Sequence, residues 1–133
     1  MSTITVDKTS YTNAVNVGPN PRFADLLTNT LGNDASQLNS VTFAFDAPYD
    51  ADYLLEMDYA AGTEVRPVTI LFNGHLISRN ALAGTTGGWT TLRRAGVGRV
   101  HVVRGQNTVV IQREGAIPHL GNIFLTRLEP GAT

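Results

Sequence analysis

From residue 41 onward apolar side chains recur at every second position, and this period of two constrains the chain more than any other feature. Val41, Phe43 and Phe45 alternate with Thr42, Ala44 and Asp46. Beyond Pro48, Asp50 and Asp52, the residues Tyr53, Leu55, Met57 and Tyr59 share one side and Glu56 and Asp58 the other, until Gly62. Successive side chains of a strand point to opposite faces, so each run reads as a strand with one buried face. Val68, Ile70 and Phe72 continue the pattern to Asn73-Gly74. That pair tolerates the positive φ angles of a tight hairpin and predicts a return strand over His75 to Ala81. Val100 to Arg104 and Thr108 to Arg113 flank Gly105-Gln106-Asn107, which reads as a three-residue hairpin turn. Gly115 to Gly121 reads as a loop and Asn122 to Leu128 as the last strand. Six or more strands without a long helical period imply a sandwich or a barrel.

The first forty residues are less regular. Ile4-Thr5-Val6 predicts a short strand, and Asn13 to Asn39, with Phe23, Leu26, Leu27, Leu31 and Leu38, reads as loops with short strands or one helical turn. The 133 residues suffice for one core and are expected to form one domain over 1–133. Net charge is −1 with no basic block, so nucleic acid is not an expected partner. No apolar run has the length of a membrane-spanning helix, and no membrane partner is expected. Cysteine is absent, which removes disulfides and thiolate chemistry. Met1 to Asp7 lacks the pattern of a signal peptide, so the compartment is left open: cytoplasmic, or extracellular if the chain is a piece of a secreted protein.

Several segments occur in the order found in one known family. They are Ala51 to Ala60 with its Tyr53 and its Tyr59-Ala60 end, Pro67 to Gly74 ending in Asn-Gly, and Thr86-Gly87-Gly88-Trp89. Gly105-Gln106-Asn107-Thr108 and Asn122-Ile123 complete the series. Between Val41 and Leu128 the chain thereby resembles the carbohydrate-binding modules of families 6 and 35. The resemblance implies a jelly-roll β-sandwich of two antiparallel sheets. It also implies a sugar site in the end loops, where an aromatic ring stacks on a pyranose and an Asn bonds to hydroxyls. The sequence departs from the family pattern at Ile4-Thr5-Val6-Asp7 and at Phe124, where members carry calcium ligands, and at Leu92, where a second aromatic is common. No cofactor is therefore expected; calcium is the one the resemblance would supply, and its usual ligands are not matched.

The candidate ligand-binding residues are Trp89, Asn122, Phe23 and His119. Trp89, the sole tryptophan, stands beside two glycines, and an indole face packs well on the C–H face of a sugar. Asn122 offers an acceptor and two donors to a vicinal diol. Phe23 is the candidate second aromatic, and His119 lies in the loop leading to Asn122. Arg66 and Arg93-Arg94 suit an acidic sugar but read as a solvated face. His75, His101 and His119 show no zinc spacing. Glu56 and Asp58, about 7 Å apart on one strand face, resemble a wet sheet surface more than a glycosidase pair. No nucleophile elbow surrounds any serine. The expected function is non-catalytic binding of an oligosaccharide or polysaccharide, alone, as a homo-oligomer or appended to a catalytic domain. The alternative is a structural or protein-interaction sandwich that has lost sugar binding.

Overall fold

The computed structural model describes residues 2–30 and 37–129. The expectation for the stretch around Leu31 lies outside them. Eleven strands occur among the described residues: β1 (Thr3–Val6), β2 (Tyr11–Val15), β3 (Val17–Asn20), β4 (Leu26–Asn29), β5 (Leu38–Ala47), β6 (Ala51–Ala60), β7 (Val68–Phe72), β8 (His75–Ala81), β9 (Arg93–Val102), β10 (Gly105–Glu114) and β11 (His119–Arg127). They form two antiparallel sheets. One runs β3-β4-β11-β6-β9, with β1 also on β11; the other runs β2-β5-β10-β7-β8. Two 3-10 turns, Lys8–Ser10 and Pro21–Phe23, are the only helical pieces among the described residues. The chain is thus an all-β sandwich, one of the two architectures that its period of two left open.

The alternation translates directly into burial. Tyr53, Leu55, Met57 and Tyr59 of β6 face Phe43 of β5, Ile70 of β7 and Ile111 of β10, all 2% exposed or less. Burying such a side chain fully contributes roughly 1.5–3 kcal/mol. The intervening Glu56 and Asp58 lie on the outer face, where Asp58 pairs with Arg94 at 3.1 Å. Asn73 and Gly74 turn β7 into β8 with φ of 48° and 79°. Asn73 then reaches across to β10: its Oδ1 accepts from Thr108 N at 2.8 Å and its Nδ2 donates to Asn107 Oδ1 at 2.9 Å. Fully buried Asn107 also binds the Val103 N–H and carbonyl.

Three boundaries differ from the sequence reading. Gly105 is not the head of a three-residue turn but the first residue of β10, paired with Ala47; the reversal falls on Val103 and Arg104. β9 starts at Arg93, seven residues before the alternation becomes visible, because Gly96 and Gly98 carry no side chain to mark a face. His119 belongs to a strand, paired with Ala60, rather than to a loop. The irregular N-terminal region contributes four short strands and the two 3-10 turns.

Candidate functional site

Four segments meet at one end of the first sheet: the β3–β4 connection, the β6–β7 loop, the β8–β9 loop and the start of β11. They enclose a cleft of about 360 Å³, lined by Phe23, Trp89, His119, Arg66 and polar residues of β3 and β4. That volume falls within the range of small-molecule sites.

The Thr-Gly-Gly-Trp segment is latched to the end of β6. Thr86 N donates to the Ala61 carbonyl at 2.7 Å, and Thr86 Oγ1 accepts from Ala61 N at 3.1 Å and donates to the Gly88 carbonyl at 2.9 Å. Gly87, at φ 87°, makes the bend. The five-membered ring of the Trp89 indole then rests with its face against Gly62, where any Cβ would meet Nε1 at 2.5 Å. Its ring stays partly exposed while packing on the core.

Phe23 is presented by the 3-10 turn Pro21–Phe23. Asn20 caps that turn by accepting from Arg22 N at 3.0 Å, and Pro21 supplies a preset φ. Ala24 and Asp25 then both adopt left-handed backbone, at φ 57° and 61°, and Asp25 N closes the turn on the Asn20 carbonyl. Non-glycine residues enter this region at a cost of about 1 kcal/mol, so the packing of the loop has to hold them there.

His119 stands between the two aromatics, 4.5 Å from the Phe23 ring and 4.9 Å from the Trp89 ring, centroid to centroid. Its Nδ1 lies 2.8 Å from the Trp89 carbonyl oxygen. Burial, the dominant influence, pushes its pKa below the ordinary histidine value; the Trp89 carbonyl opposes this and Arg66 adds to it.

Arg66 corrects the sequence reading. It is not on a solvated face but only 7% exposed, its guanidinium 4.2 Å from the Trp89 ring centroid. Nη1 donates to the Ile117 carbonyl at 3.1 Å, and Nε and Nη2 donate to Glu64. Asn29 Oδ1 accepts from Ile117 N at 2.8 Å, and Asn20 Nδ2 donates to Thr28 Oγ1 at 3.3 Å.

Of the residues singled out from sequence, Trp89, Phe23 and His119 come together. Asn122 does not line the cleft: its Oδ1 accepts from Lys8 N at 2.8 Å and so ties the 3-10 turn after β1 to β11. Leu92 is 48% exposed and also stands apart. Sequence reasoning missed Arg22, Asn20, Thr28 and Asn29, which carry no motif; the Asn20-Pro21 step was their one local signal.

The place where the resemblance would put calcium has a donor set that does not fit that ion. The Asp7 carboxylate is taken by Thr9 N and Oγ1, and Phe124 has no ligand atom and carries the Arg94 guanidinium 3.6 Å over its ring. Among the described residues no group of three or more His, Asp or Glu side chains is placed to hold a metal.

No protein-family model and no curated protein sequence matches the chain. Solved structures do. A family 35 carbohydrate-binding module from Clostridium thermocellum superposes with a TM-score of 0.78 at 21% identity, covering 94% of this chain and 98% of that one. The fold is that of the family 35 and family 6 carbohydrate-binding modules. A family 35 module from Paenibacillus barcinonensis gives a TM-score of 0.76 at 19% identity, covering 95% and 98%. A family 6 module of a laminarinase from Zobellia galactanivorans gives 0.66 at 16% identity, covering 94% and 99%. A further family 35 module of this fold, at TM-score 0.68, 19% identity and coverage of 98% and 94%, was solved with a glucuronic acid-containing disaccharide. The carbohydrate-binding-module fold therefore spans nearly the whole chain, as the motifs between Val41 and Leu128 led one to expect.

Proposed function

We propose that the chain is a non-catalytic carbohydrate-binding module whose ligand lies in the cleft between Phe23, His119 and Trp89. The observation that carries this reading is the convergence of two aromatic rings on one histidine in a cleft otherwise lined by amides, a hydroxyl and guanidinium groups. Apolar ring faces match the C–H faces of a sugar, and the surrounding polar groups match its hydroxyls. Among the described residues that line the cleft none is a carboxylate, so they do not supply the acid pair that glycoside hydrolysis ordinarily uses. The fold shared with the family 35 and family 6 modules supports the same reading.

Trp89 is the sole tryptophan, so its fluorescence reports the cleft alone. Titration with a panel of oligosaccharides is expected to shift or quench that emission for at least one of them. Trp89→Ala should then weaken binding measured by calorimetry by about 1.5–3 kcal/mol, the contribution of one large apolar contact. A silent panel, or full affinity in a correctly folded Trp89→Ala protein, removes the proposal. Silence together with stable self-association would favour the interaction-domain alternative.

A further inference from the structure

A carbonyl oxygen only accepts hydrogen bonds, so the 2.8 Å contact between His119 Nδ1 and the Trp89 carbonyl places a proton on Nδ1. In the neutral ring Nε2 then carries the lone pair. Nε2 has no hydrogen-bond partner among the described residues, and it is not among the sealed atoms left unpaired, so it opens onto the cleft. The other acceptors around it each already take a hydrogen bond within the protein. Asn29 Oδ1 is held by Ile117 N, Asn20 Oδ1 by Arg22 N, Thr28 Oγ1 by Asn20 Nδ2, and the Trp89 carbonyl by His119 itself. Among the described residues the cleft thus presents guanidinium and amide donors and, on a side chain that titrates, an acceptor that has made no bond.

We infer that His119 is a specificity-determining residue of this cleft, a neutral Nδ1–H imidazole whose Nε2 accepts a sugar hydroxyl, so that affinity for an uncharged saccharide falls as the ring protonates. The inference rests on the carbohydrate reading above. Two effects act in the same direction. Protonation replaces the acceptor by a donor among donors. A neutral ligand over the ring also removes its remaining water, and burial already disfavours the charged form. The pKa of the bound state therefore lies below that of the free state. By linkage, affinity is fully present above the free-state pKa and is lost as pH falls through it.

The neighbouring charges do not reverse this sign. Arg66 comes from the β6–β7 loop and is paired with exposed Glu64; Arg22, from the turn before β4, lies 5.8 Å from the Phe23 ring centroid. β3, β4 and the Trp89 loop place only uncharged side chains in the lining. Asp58 of β6 is engaged by Arg94, and exposed Asp25 is not part of the lining.

Two measurements test this. Nitrogen-15 NMR of the ligand-free protein at pH 8 reads the tautomer, and the titration of His119 with and without saturating saccharide reads its pKa. Affinities are measured from pH 8 to 5 for xylopentaose, mannopentaose, cellopentaose and laminaripentaose, in the native protein and in His119→Asn, which keeps an acceptor and does not titrate. The Nδ1–H tautomer, a lower His119 pKa in the complex, an affinity loss of about tenfold on acidification and a flat profile in His119→Asn are expected. An Nε2–H tautomer, a His119 pKa unmoved by a bound saccharide, or a pH-flat native affinity overturns the inference while leaving sugar binding intact. A His119→Asn protein that keeps the native pH profile overturns it as well. Failure of all four saccharides to bind at pH 8, with the Nδ1–H tautomer present, overturns the carbohydrate reading and the inference with it. If His119→Asn fails to fold, the NMR titration of the native protein decides alone.

Discussion

Gly62→Ala tests whether the placement of Trp89, rather than its mere presence, makes the cleft. An alanine Cβ at 62 would lie 2.5 Å from Nε1, 2.7 Å from Cδ1 and 2.8 Å from Cε2 of the indole. Ordinary contact needs the ring to retreat by roughly 1 Å. Gly62 is not in the left-handed region, so the backbone itself accepts alanine. The ring is partly exposed and can swing outward, which keeps the stability cost to about 1 kcal/mol, partly offset by the lower chain entropy of alanine in the unfolded state. Binding is less forgiving. A site holds its ligand only with groups placed to about 0.5 Å, and the retreat loosens the contacts of Trp89 with His119 and Arg66. The expected result is a shifted tryptophan emission, an affinity at least tenfold weaker, and an unfolding midpoint in urea close to the native one. Gly96→Ala is the control, because a Cβ there meets nothing within 4 Å and should change neither quantity. Native emission and native affinity in a folded Gly62→Ala protein would refute the placement argument. So would a collapse of stability with affinity retained, since the ring would then not be the element that yields.

Asn122→Ala is expected to lower stability by about 1 kcal/mol, because Lys8 N loses its acceptor, and to leave saccharide affinity unchanged; calorimetry showing lost affinity in a folded variant would return Asn122 to the sugar site. Asn107→Ala should cost about 3 kcal/mol in urea unfolding, since it empties a fully buried site and takes their partner from the Asn73 amide and both polar groups of Val103; a loss under 1 kcal/mol would mean that water replaces the side chain. Arg99 and then His101 hold the Asp52 carboxyl below the usual carboxylate range. A lowered folded-state pKa contributes stability that is present above the unfolded value and lost as pH falls through the folded one, so Asp52→Asn should flatten the acid limb of a stability–pH curve, modestly because the pair is exposed.

The sheets were legible wherever inward and outward positions differ in chemistry. β6, β7, β5 from Val41 and β10 from Thr108 carry Val, Leu, Ile, Phe, Met or Tyr at their inner positions, and these stretches were found from the alternation. β9 was found only in part because its glycines erase the contrast. β3 was expected only as one of the unplaced short strands between Asn13 and Asn39, because a four-residue strand containing Gly18 and Pro19 has too few side chains to show a period. The site was legible where a residue type is rare, as with the lone Trp89, and illegible where function depends on distant backbone. Arg66 is buried because the Ile117 carbonyl, 51 residues away, is free to accept from it, and no local pattern announces that. That Asn122 lies apart from the cleft was illegible for a related reason. Pairing between β11 and β6 slips between Leu120 and Ile123, so Asn122 has no partner in the β6 register and turns its amide toward Lys8.

The two ends of the sandwich treat polar groups differently, and that contrast bears on the proposed site independently of the family likeness. At the end where β7 turns into β8, the Asn73 and Asn107 amides bind one another and the backbone, and the buried Asn107 amide makes its full set of four bonds. At the other end, Thr86, Asn20 and Asn29 spend their bonds fixing loops, yet the groups they position keep unused capacity: an indole that stays partly exposed and an imidazole whose Nε2 has no partner among the described residues. A chain selected for stability alone gains nothing by holding Ala24 and Asp25 in left-handed backbone to bring a phenyl ring to such a place. The strain is accounted for if Phe23 and Trp89 are held apart by His119 at the spacing a ligand requires. Ala24→Gly should then raise stability by relieving the left-handed conformation while weakening saccharide binding through a looser Phe23. A variant that gained stability and lost no affinity would assign the strain to folding of the loop instead.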